Sequence, residues 1–468
     1  MGKAPWSLFL SPRSMAIIGV SKREDDYINH YVRTLLEYGY HGRLYLVNPK
    51  ESEILGFKVY HKVSEIEEAV DLAFIAVPRE AVAEVLEECG VKGVKAIIIF
   101  TSDSDILSPT GDRGISRAIV KAVKRWKFRV IGPNCLGIYR PSSGLCFAHG
   151  FPKEAGNVAF LAQSGGHAAA MGWLGASIGL KFSAIVSYGN AVDVDLPELI
   201  EAFGEDPETH VIATYVEGVK DGRQLISSLK KTTAKKPVIV WKGGVTEEGA
   251  EAVSTHTLAM AGSWTLWRVA LKQGQAIQAY SLEDTAYTSL TFSLIPKISG
   301  GRLAVVSISG GEAVSTADAC SKHGLSLPRP SGETLKKLEK IVPRYGSSIR
   351  NPVDIQLAAL DPETYLEILS FLIEDPNIDG LLILQSVEWP SLYRGAQRFH
   401  ELTDVVCRVK QRYGKPIFVV MQPRLFYEDY QKAGRKLLEV KVPVYPTVDL
   451  AVSAISRLVT YSAKRPIA

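Results

Sequence analysis

Short and continuous apolar runs are the feature that most limits how this chain can fold. Asp71–Pro78 and Val94–Phe100 are typical, because Val, Ile and Ala follow one another without the alternating polar residues of a half-exposed strand. Such runs predict strands that are buried on both faces. Predicted helices such as Glu80–Cys89 and Ile115–Trp126 lie between the runs. The alternation of strands and helices predicts an α/β fold built on open, doubly wound parallel sheets.

The chain is too long for one hydrophobic core, since it has 468 residues. The turn-rich segment Pro141–Gly144 and the link Leu294–Gly301 divide it into three α/β segments. We expect domains at residues 1–143, 144–297 and 298–468. The predicted strands are Ser14–Val20, Arg43–Pro49, Asp71–Pro78, Val94–Phe100 and a strand from Arg129 in the first domain; Gly156–Leu161, Phe182–Ser187, Val211–Val216 and Pro237–Lys242 in the second; and Arg302–Ile308, Gly380–Gln385, Pro416–Met421 and Val442–Tyr445 in the third.

Composition excludes several classes of function. The formal net charge is only +4, which gives no reason to expect a nucleic-acid partner. The apolar runs have the length of strands, so no membrane span is expected, and the N-terminus lacks the pattern of a signal peptide or a myristoylation site. Five cysteines without a CxxC pair and nine histidines without ligand spacing predict neither a disulfide framework nor a metal site. We expect a cytoplasmic protein with reduced thiols.

Three predicted strands end in glycine or serine turns: Gly19–Ser21, Gln163–Gly166 and Ser307–Gly311. The last two precede predicted helices, and backbone amides at a helix N-terminus bind anions. The alternative for each loop is a plain helix start in which Ser caps the helix. With three such loops in one chain, we expect at least one to bind phosphate.

The first loop lacks the dinucleotide fingerprint, because no second or third glycine follows Gly19 closely. This argues against an NAD-linked oxidoreductase. A nucleotide could still lie along the rim of the first sheet, with Ser21, Lys22, Arg23 and Lys50 near its phosphates. The alternative is that these charges form a solvated face.

The strand Pro237–Lys242 ends in Gly243 and Gly244 and is followed by His256 on a predicted loop of small residues. Imidazole can attack an activated phosphoryl group and hold it as a phosphoramidate when a carboxylate orients the ring. Glu217 is the best candidate for that carboxylate, since it ends the preceding strand and parallel strands end at one rim of a sheet. The alternative is an ordinary surface histidine.

Several segments together resemble one known family. They are Ser11–Ser21, Leu46–Lys50, Val70–Pro78, Gly132–Gly137, Gln163–Gly165, Val186–Asn190 with Asp193 and Asp195, Tyr215–Gly218 and Asn351–Asp354. In this order they look like the alpha subunit of the ADP-forming acyl-CoA synthetases, the acetate:CoA ligase relatives of succinyl-CoA synthetase. The resemblance runs over nearly the whole chain.

The resemblance implies a CoA-binding Rossmann-like domain followed by two flavodoxin-like ligase domains, the first of which carries a phosphohistidine. It implies that acyl-CoA, ADP and phosphate are interconverted with carboxylic acid, CoA and ATP through an acyl phosphate and the phosphohistidine. No ATP-grasp domain fits among the three segments. A separate ATP-grasp beta subunit is therefore implied, in an alpha2beta2 heterotetramer, with ADP or ATP and Mg²⁺ bound in that partner.

The resemblance also assigns roles to single residues. His256 would carry the phosphoryl group, Glu217 would orient and stabilise this histidine, and Asn190 would line the acyl pocket. Gln163, Ser164 and Gly165 would bind phosphate. The residues assigned to CoA are Gly19, Ser21, Lys22, Asn48, Pro49, Lys50, Val77, Pro78, Asn134 and Cys135.

Three ligand loops depart from the family pattern. Leu258 follows Thr257 where the family has Ser-His-Thr-Gly, Arg23–Tyr27 replaces a glycine-containing loop, and Thr101–Asp105 replaces another. Leucine in place of glycine would reduce the room and the conformational freedom of the carrier loop. The alternative function is therefore a CoA-binding regulatory or scaffolding paralogue that has lost phosphoryl transfer. Because both His256 and Glu217 are present, the ligase is the favoured interpretation.

Overall fold

The computed structural model describes residues 5–23, 26–102, 114–256, 262–343, 346–356 and 361–465, without the side chains of residues 254–256. By its internal contacts the chain divides into two compact units, Met1–Thr285 and Ala286–Ala468. The first unit contains two sheets and the second contains one. Three parallel-dominated α/β sheets confirm the predicted fold class.

The first sheet has the strand order β3-β4-β2-β1-β5-β6-β7. All its neighbours pair in parallel except the antiparallel ribbon of β3 and β4. Its central strands are fully buried, as the continuous apolar runs predict. The strands are β1 (Ser14–Ile18), β2 (Arg43–Val47), β3 (Glu53–Ile54), β4 (Phe57–Tyr60), β5 (Leu72–Ile75), β6 (Ala96–Ile99) and β7 (Arg129–Ile131), and the helices are α1 (Trp6–Leu10), α2 (Tyr27–Glu37), α3 (Val82–Lys92) and α4 (Gly114–Trp126).

The second sheet has the order β13-β12-β11-β9-β10-β8, in which only β8 is antiparallel to its neighbour. Strand β8, at one edge of this sheet, precedes residue 144 in the chain. The sheet therefore includes a strand from the segment that the sequence assigns to the first domain. The strands are β8 (Gly137–Tyr139), β9 (Val158–Ala162), β10 (Phe182–Ser187), β11 (Val211–Val216), β12 (Val238–Lys242) and β13 (Ile277–Ala279), and the helices are α5 (Gly165–Ile178), α6 (Leu196–Glu205), α7 (Gly222–Thr233), α8 (Glu247–His256) and α9 (Trp264–Gln273).

The third sheet has the order β15-β14-β16-β17-β18 and is parallel throughout. Its apolar core is formed mainly by Leu, Ile and Val from the strands and from the helices that cover them. The elements are α10 (Leu282–Leu294), β14 (Leu303–Ser307), α11 (Gly310–Lys322), α12 (Gly332–Ile341), β15 (Val353–Asp354), α13 (Pro362–Glu374), β16 (Gly380–Leu384), α14 (Glu388–Arg394), α15 (Ala396–Arg412), β17 (Ile417–Val420), α16 (Tyr427–Glu439), β18 (Val444–Tyr445) and α17 (Val448–Ala463).

One placement in the sequence prediction is wrong: the backbone of His256 ends helix α8 and does not lie in a loop. The reason is local, because Glu and Ala dominate the segment that precedes it and both favour helix. Leu258 and residues 103–105 lie outside the described residues.

Candidate functional site

Two points where strand order reverses hold most of the predicted site residues. In the first sheet β1 lies between β2 and β5, and in the second sheet β9 lies between β10 and β11. After each of these strands, the next strand in the chain pairs on one side of it and a later strand pairs on the other side. This reversal opens a crevice at the C-terminal ends of the strands, where ligands of doubly wound sheets bind. Gly19 follows β1, and Gln163 follows β9.

The crevice of the first sheet requires glycine at position 19. Its φ is +103°, and a Cβ atom there would lie 2.2 Å from the carbonyl oxygen of Ala76. Ala76, Val77 and Pro78 follow β5, so the chain segments after β1 and β5 are in close contact at the switch point. Because residue 19 has no side chain, the backbone at this rim is open, and a ligand could lie directly against it.

Two of the polar groups predicted to lie near phosphates, Ser21 and Lys22, already have protein partners. The Ser21 hydroxyl donates to Asp26 Oδ2 at 2.5 Å, and Asp26 also caps α2 by accepting from the N–H of Ile28. Lys22 is ion-paired with Glu51 at 2.5 Å. The loop is therefore held by its own carboxylates, and CoA would have to compete for Ser21 and Lys22 or use their backbone groups.

Asn48 organises the turn after β2. Its Nδ2 donates to the carbonyl oxygen of Val20 at 2.6 Å, and its Oδ1 accepts from the N–H of Lys50 at 2.8 Å. The side chain thus ties the loops after β1 and β2 together. Pro49 and the Lys50 side chain are exposed at the same rim. Asn48 supports the cleft, while Lys50 offers a free positive charge in the described part of the rim.

The structure brings Asn134 and Asn190 together. Asn134 has a φ of +59°, and its Nδ2 donates to Asn190 Oδ1 at 3.4 Å. The N–H of Asn190 also donates to the carbonyl oxygen of Pro133 at 2.9 Å. Cys135 is turned away: it is buried, and its thiol donates to the carbonyl oxygen of Ile99 at 3.2 Å. Burial raises the pKa of the Cys135 thiol to about 12, so it is no nucleophile at neutral pH.

Asp193 and Asp195, which the resemblance includes, have structural partners. Asp193 Oδ2 accepts from Arg129 Nε at 2.9 Å and from the N–H of Val130 at 2.8 Å. The same Arg129 guanidinium makes two hydrogen bonds to Glu198, at 2.9 and 2.7 Å. Asp195 is the N-cap of α6. This part of the motif joins β7 of the first sheet to α6 of the second.

The crevice of the second sheet begins at Gln163. Its Oε1 accepts from the N–H groups of Glu217 at 2.8 Å and Gly218 at 3.1 Å, so this side chain fixes the backbone after β11. Ser164 caps α5 by accepting from the N–H of His167 at 3.3 Å. Helix geometry leaves the N–H groups of Gly165 and Gly166 without intrahelical acceptors. This end of α5 therefore presents two backbone donors and the positive end of the helix dipole.

Glu217 directly follows β11 in the same crevice. It is only 4% exposed, and its Oε1 accepts from the Tyr215 hydroxyl at 3.2 Å. Its Oε2 is buried and has no hydrogen-bond partner among the described residues. A buried carboxylate oxygen without a partner costs free energy, so a ligand or a mobile group with an N–H or O–H would be stabilised there.

Two further residues at this crevice have no role in the sequence prediction. Lys242 ends β12 in register with Val216, directly before Glu217, and it is 5% exposed. Burial lowers the pKa of Lys242 to about 8, and the charge of Glu217 opposes that shift. His167 packs against Tyr215 and Trp241. A charged residue after an apolar strand run was the available signal for Lys242, whereas His167 gave no signal.

No helix among the described residues is long and apolar enough to cross a membrane. The described part of the chain also contains no group of three or more His, Cys, Asp or Glu side chains arranged to hold a metal ion.

Three family models match consecutive parts of the chain. They are a CoA binding domain over residues 13–141, a succinyl-CoA ligase like flavodoxin domain over 155–292 and a Ligase-CoA domain over 303–461. The fold and its two crevices thus define an α/β protein that combines a CoA-binding domain with two ligase domains.

Individual relatives narrow this class. The chain is 34% identical over 96% of both sequences to "Acetate--CoA ligase [ADP-forming] II subunit alpha" of Pyrococcus furiosus. It is 36% identical to "Acetate--CoA ligase [ADP-forming] I" of Archaeoglobus fulgidus, of which it spans 54%. Its fold superposes with a TM-score of 0.85 and 30% identity, over 99% of both chains, on the dinucleotide-forming acetyl-coenzyme A synthetase 1 of Ca. Korarchaeum cryptofilum, solved with phosphate and ADP. The chain belongs to the family of ADP-forming acyl-CoA synthetases, as the sequence motifs predict.

Proposed function

We propose that this chain is the alpha subunit of an ADP-forming acyl-CoA synthetase. It would interconvert acyl-CoA, ADP and phosphate with a carboxylic acid, CoA and ATP. CoA would bind at the crevice of the first sheet, and phosphoryl transfer would take place at the crevice of the second. The membership of the family supports the reaction class, and the geometry of the two crevices supports the division of labour between them.

The chemistry can be written bond by bond. A phosphate oxygen attacks the thioester carbonyl carbon, the C–S bond breaks, and CoA leaves as the thiol after it gains a proton. The imidazole of His256 then attacks the phosphorus of the acyl phosphate, and the P–O bond to the carboxylate breaks. The phosphoryl group finally moves from the imidazole nitrogen to the terminal oxygen of ADP. Every step is reversible in principle, so the direction depends on concentrations.

One observation carries the assignment of the second crevice: the unpartnered Oε2 of Glu217. It lies in the same crevice as the capped N-terminus of α5, whose backbone donors suit phosphate oxygens. An imidazole that carries a phosphoryl group on one nitrogen has an N–H on the other, and a carboxylate orients such a ring. His256 follows β12 along the chain at the end of α8. Its role as the carrier comes from the family motif.

The partner is part of the proposal. The chain spans 96% of a relative named as an alpha subunit, which supports a separate beta subunit. We propose an ATP-grasp beta subunit that binds ADP or ATP with Mg²⁺, in an alpha2beta2 assembly. The domain boundaries after residues 143 and 297 and the cytoplasmic location stay predictions.

Mass spectrometry of His256 tests this function directly. The chain, assembled with its beta subunit, is incubated with Mg-ATP or, separately, with acetyl-CoA and inorganic phosphate. A phosphoryl group on the His256 peptide in both reactions supports the proposal, and His256→Asn should remove it. The exposed His323, changed to Asn, is the matched control and should leave the label unchanged.

One observation supports the regulatory or scaffolding alternative. Ser21 is hydrogen-bonded to the carboxylate of Asp26 and Lys22 is ion-paired with Glu51, so both side chains already have partners other than CoA. If the His256 peptide stays unmodified in both reactions while CoA still binds the chain, the alternative replaces the ligase. If CoA does not bind either, both functions are wrong.

A further inference from the structure

His167 occupies a fixed position at the phosphate end of α5. Its ring centroid is 4.3 Å from that of Tyr215 and 4.6 Å from that of Trp241, and these two rings are themselves 4.6 Å apart. The three rings form a closed cluster at the ends of β11 and β12. Within the described part of the chain, neither ring nitrogen of His167 takes part in a hydrogen bond. The imidazole is therefore held by packing while both nitrogens stay available.

The groups that face His167 keep it neutral without a ligand. Partial burial lowers the pKa of His167, and the nearby charge of Glu217 at the end of β11 opposes the shift. Lys242, at the end of β12, is the other charged neighbour of Glu217, whose charge opposes the lowering of the Lys242 pKa. Burial raises the pKa of Tyr215, so its phenol stays protonated. Helix α5 itself has no other charged residue. At neutral pH this end of α5 thus has backbone donors but no full positive charge of its own.

We propose that His167 is a phosphate-positioning residue that is neutral in the ligand-free site and takes up a proton when a phosphate dianion binds at the N-terminus of α5. The proposal rests on the phosphate site of the proposed function. Side chains on a helix lean toward its N-terminus, so the imidazole shares the end of α5 where Gly165 and Gly166 present their N–H groups. A nearby dianion favours imidazolium over imidazole.

The Oε2 atom of Glu217 is independent evidence that a ligand or a mobile group belongs in this crevice. Glu217 is only 4% exposed, and this oxygen has no hydrogen-bond partner among the described residues. A dianion beside this carboxylate is repelled unless a cation offsets the charge. Lys242 supplies one positive charge next to Glu217, and protonated His167 supplies a second one on the phosphate side. The proton comes from solvent and forms an N–H bond on the imidazole, and no other covalent bond in the protein changes.

Calorimetry with inorganic phosphate tests the proton uptake. The full-length chain is titrated at pH 8, where phosphate is mainly the dianion, in buffers of different ionisation enthalpy. The wild-type chain should take up roughly half a proton or more per phosphate through linkage. His167→Gln should take up distinctly less and bind phosphate at least about twofold more weakly, which is the affinity gain that accompanies half a proton taken up at pH 8. Lys242 also titrates near pH 8, so the difference between the two proteins reports the net effect of His167 on proton uptake.

Replacing His167 with arginine, which is always charged, distinguishes a phosphate-positioning role of this residue from a purely structural one. His167→Arg should bind phosphate more tightly than His167→Gln but without the proton uptake of the wild-type chain. Equal uptake and equal affinity in wild type and His167→Gln would overturn this inference and leave the proposed phosphate site intact. Absence of any phosphate binding by the wild-type chain would overturn both the phosphate site and the role of His167.

Discussion

The Tyr215 hydroxyl, on β11, donates to Oε1 of Glu217, the residue that follows this strand, across 3.2 Å. Gln163 accepts from the backbone N–H of the same Glu217 at 2.8 Å. The carboxylate is therefore fixed at its side chain and at its backbone. One oxygen is satisfied and the other has no partner among the described residues. A preorganised acceptor of this kind favours an N–H that arrives with the reacting group.

Changing Glu217 to Gln should slow phosphorylation of the carrier histidine by roughly 100-fold, because the volume is kept while the charge that stabilises the imidazole is lost. Tyr215→Phe should slow it by only about 3- to 10-fold, since that variant removes one neutral hydrogen bond. Rapid-quench measurement of the single-turnover phosphorylation rate with Mg-ATP checks both values.

Affinity for CoA serves as the control in the same experiment. It should stay within about twofold in both variants, because Glu217 lies at the second crevice and the proposed CoA site at the first. The exposed Glu84 on α3, changed to Gln, should affect neither quantity. An unchanged phosphorylation rate combined with weaker CoA binding in Glu217→Gln would assign Glu217 to CoA and not to phosphoryl transfer.

The candidate site could be predicted in part because it follows the ends of buried strands. Gly19, Gln163 and Glu217 each come directly after an apolar run, and parallel strands end at the same rim in any strand order. The order itself comes from pairing between distant segments. The sequence therefore could not show that β9 lies between β10 and β11, which is what brings Gln163 to the backbone of Glu217.

Four of the missed strands share a physical cause. Strands β3, β8, β13 and β15 are edge strands of two or three residues, and a short edge strand needs no continuous apolar run. Helix α8 has few apolar residues to form a periodic stripe, so only the helix propensity of its Glu and Ala residues indicates it. The bonds of Ser21 to Asp26 and of Lys22 to Glu51 depend on side-chain conformations that a sequence pattern does not contain.

Gly19→Ala should abolish CoA binding and lower the free energy of unfolding by about 3 kcal/mol or more, because the new methyl group would overlap the Ala76 carbonyl. Gly56→Ala is the matched control: its φ is also positive, +78°, but no described atom lies within 4 Å of the added Cβ. That variant should lose only about 1 kcal/mol, the cost of a left-handed alanine. Urea unfolding and CoA titration measure both. Equal losses in the two variants would mean that the close approach after β1 and β5 has no special importance.

The five cysteines should be unreactive in the folded protein, since all of them are buried. Burial raises the pKa of Cys146 to about 12 and the pKa values of Cys320 and Cys407 to about 11, and it raises that of Cys89 further. A thiol reacts as the thiolate, so Ellman's reagent at pH 8 should label less than one thiol per chain before urea is added, and all of them afterwards. Rapid labelling of Cys135 that CoA prevents would contradict its placement behind the cleft.

Lys242→Met should stabilise the fold and impair its chemistry. Burial lowers the pKa of Lys242 to about 8 against the attraction of Glu217, whereas an unfolded lysine titrates near 10.4. Below pH 8 the side chain is protonated in both states, so the buried charge destabilises the native state by its full amount. Between about pH 8 and 10.4 the native state has lost the proton and the unfolded chain keeps it, so this group makes stability rise with pH. Methionine should therefore raise the free energy of unfolding at pH 7 by about 1–3 kcal/mol, a gain that shrinks toward pH 10.

Carrier phosphorylation should slow in the same variant, because Glu217 loses its counter-charge. Urea unfolding from pH 6 to 10 checks the first effect, with Lys230→Met on the exposed face of α7 as the control. A pH-independent loss of stability would show instead that the ammonium group of Lys242 holds the native structure together.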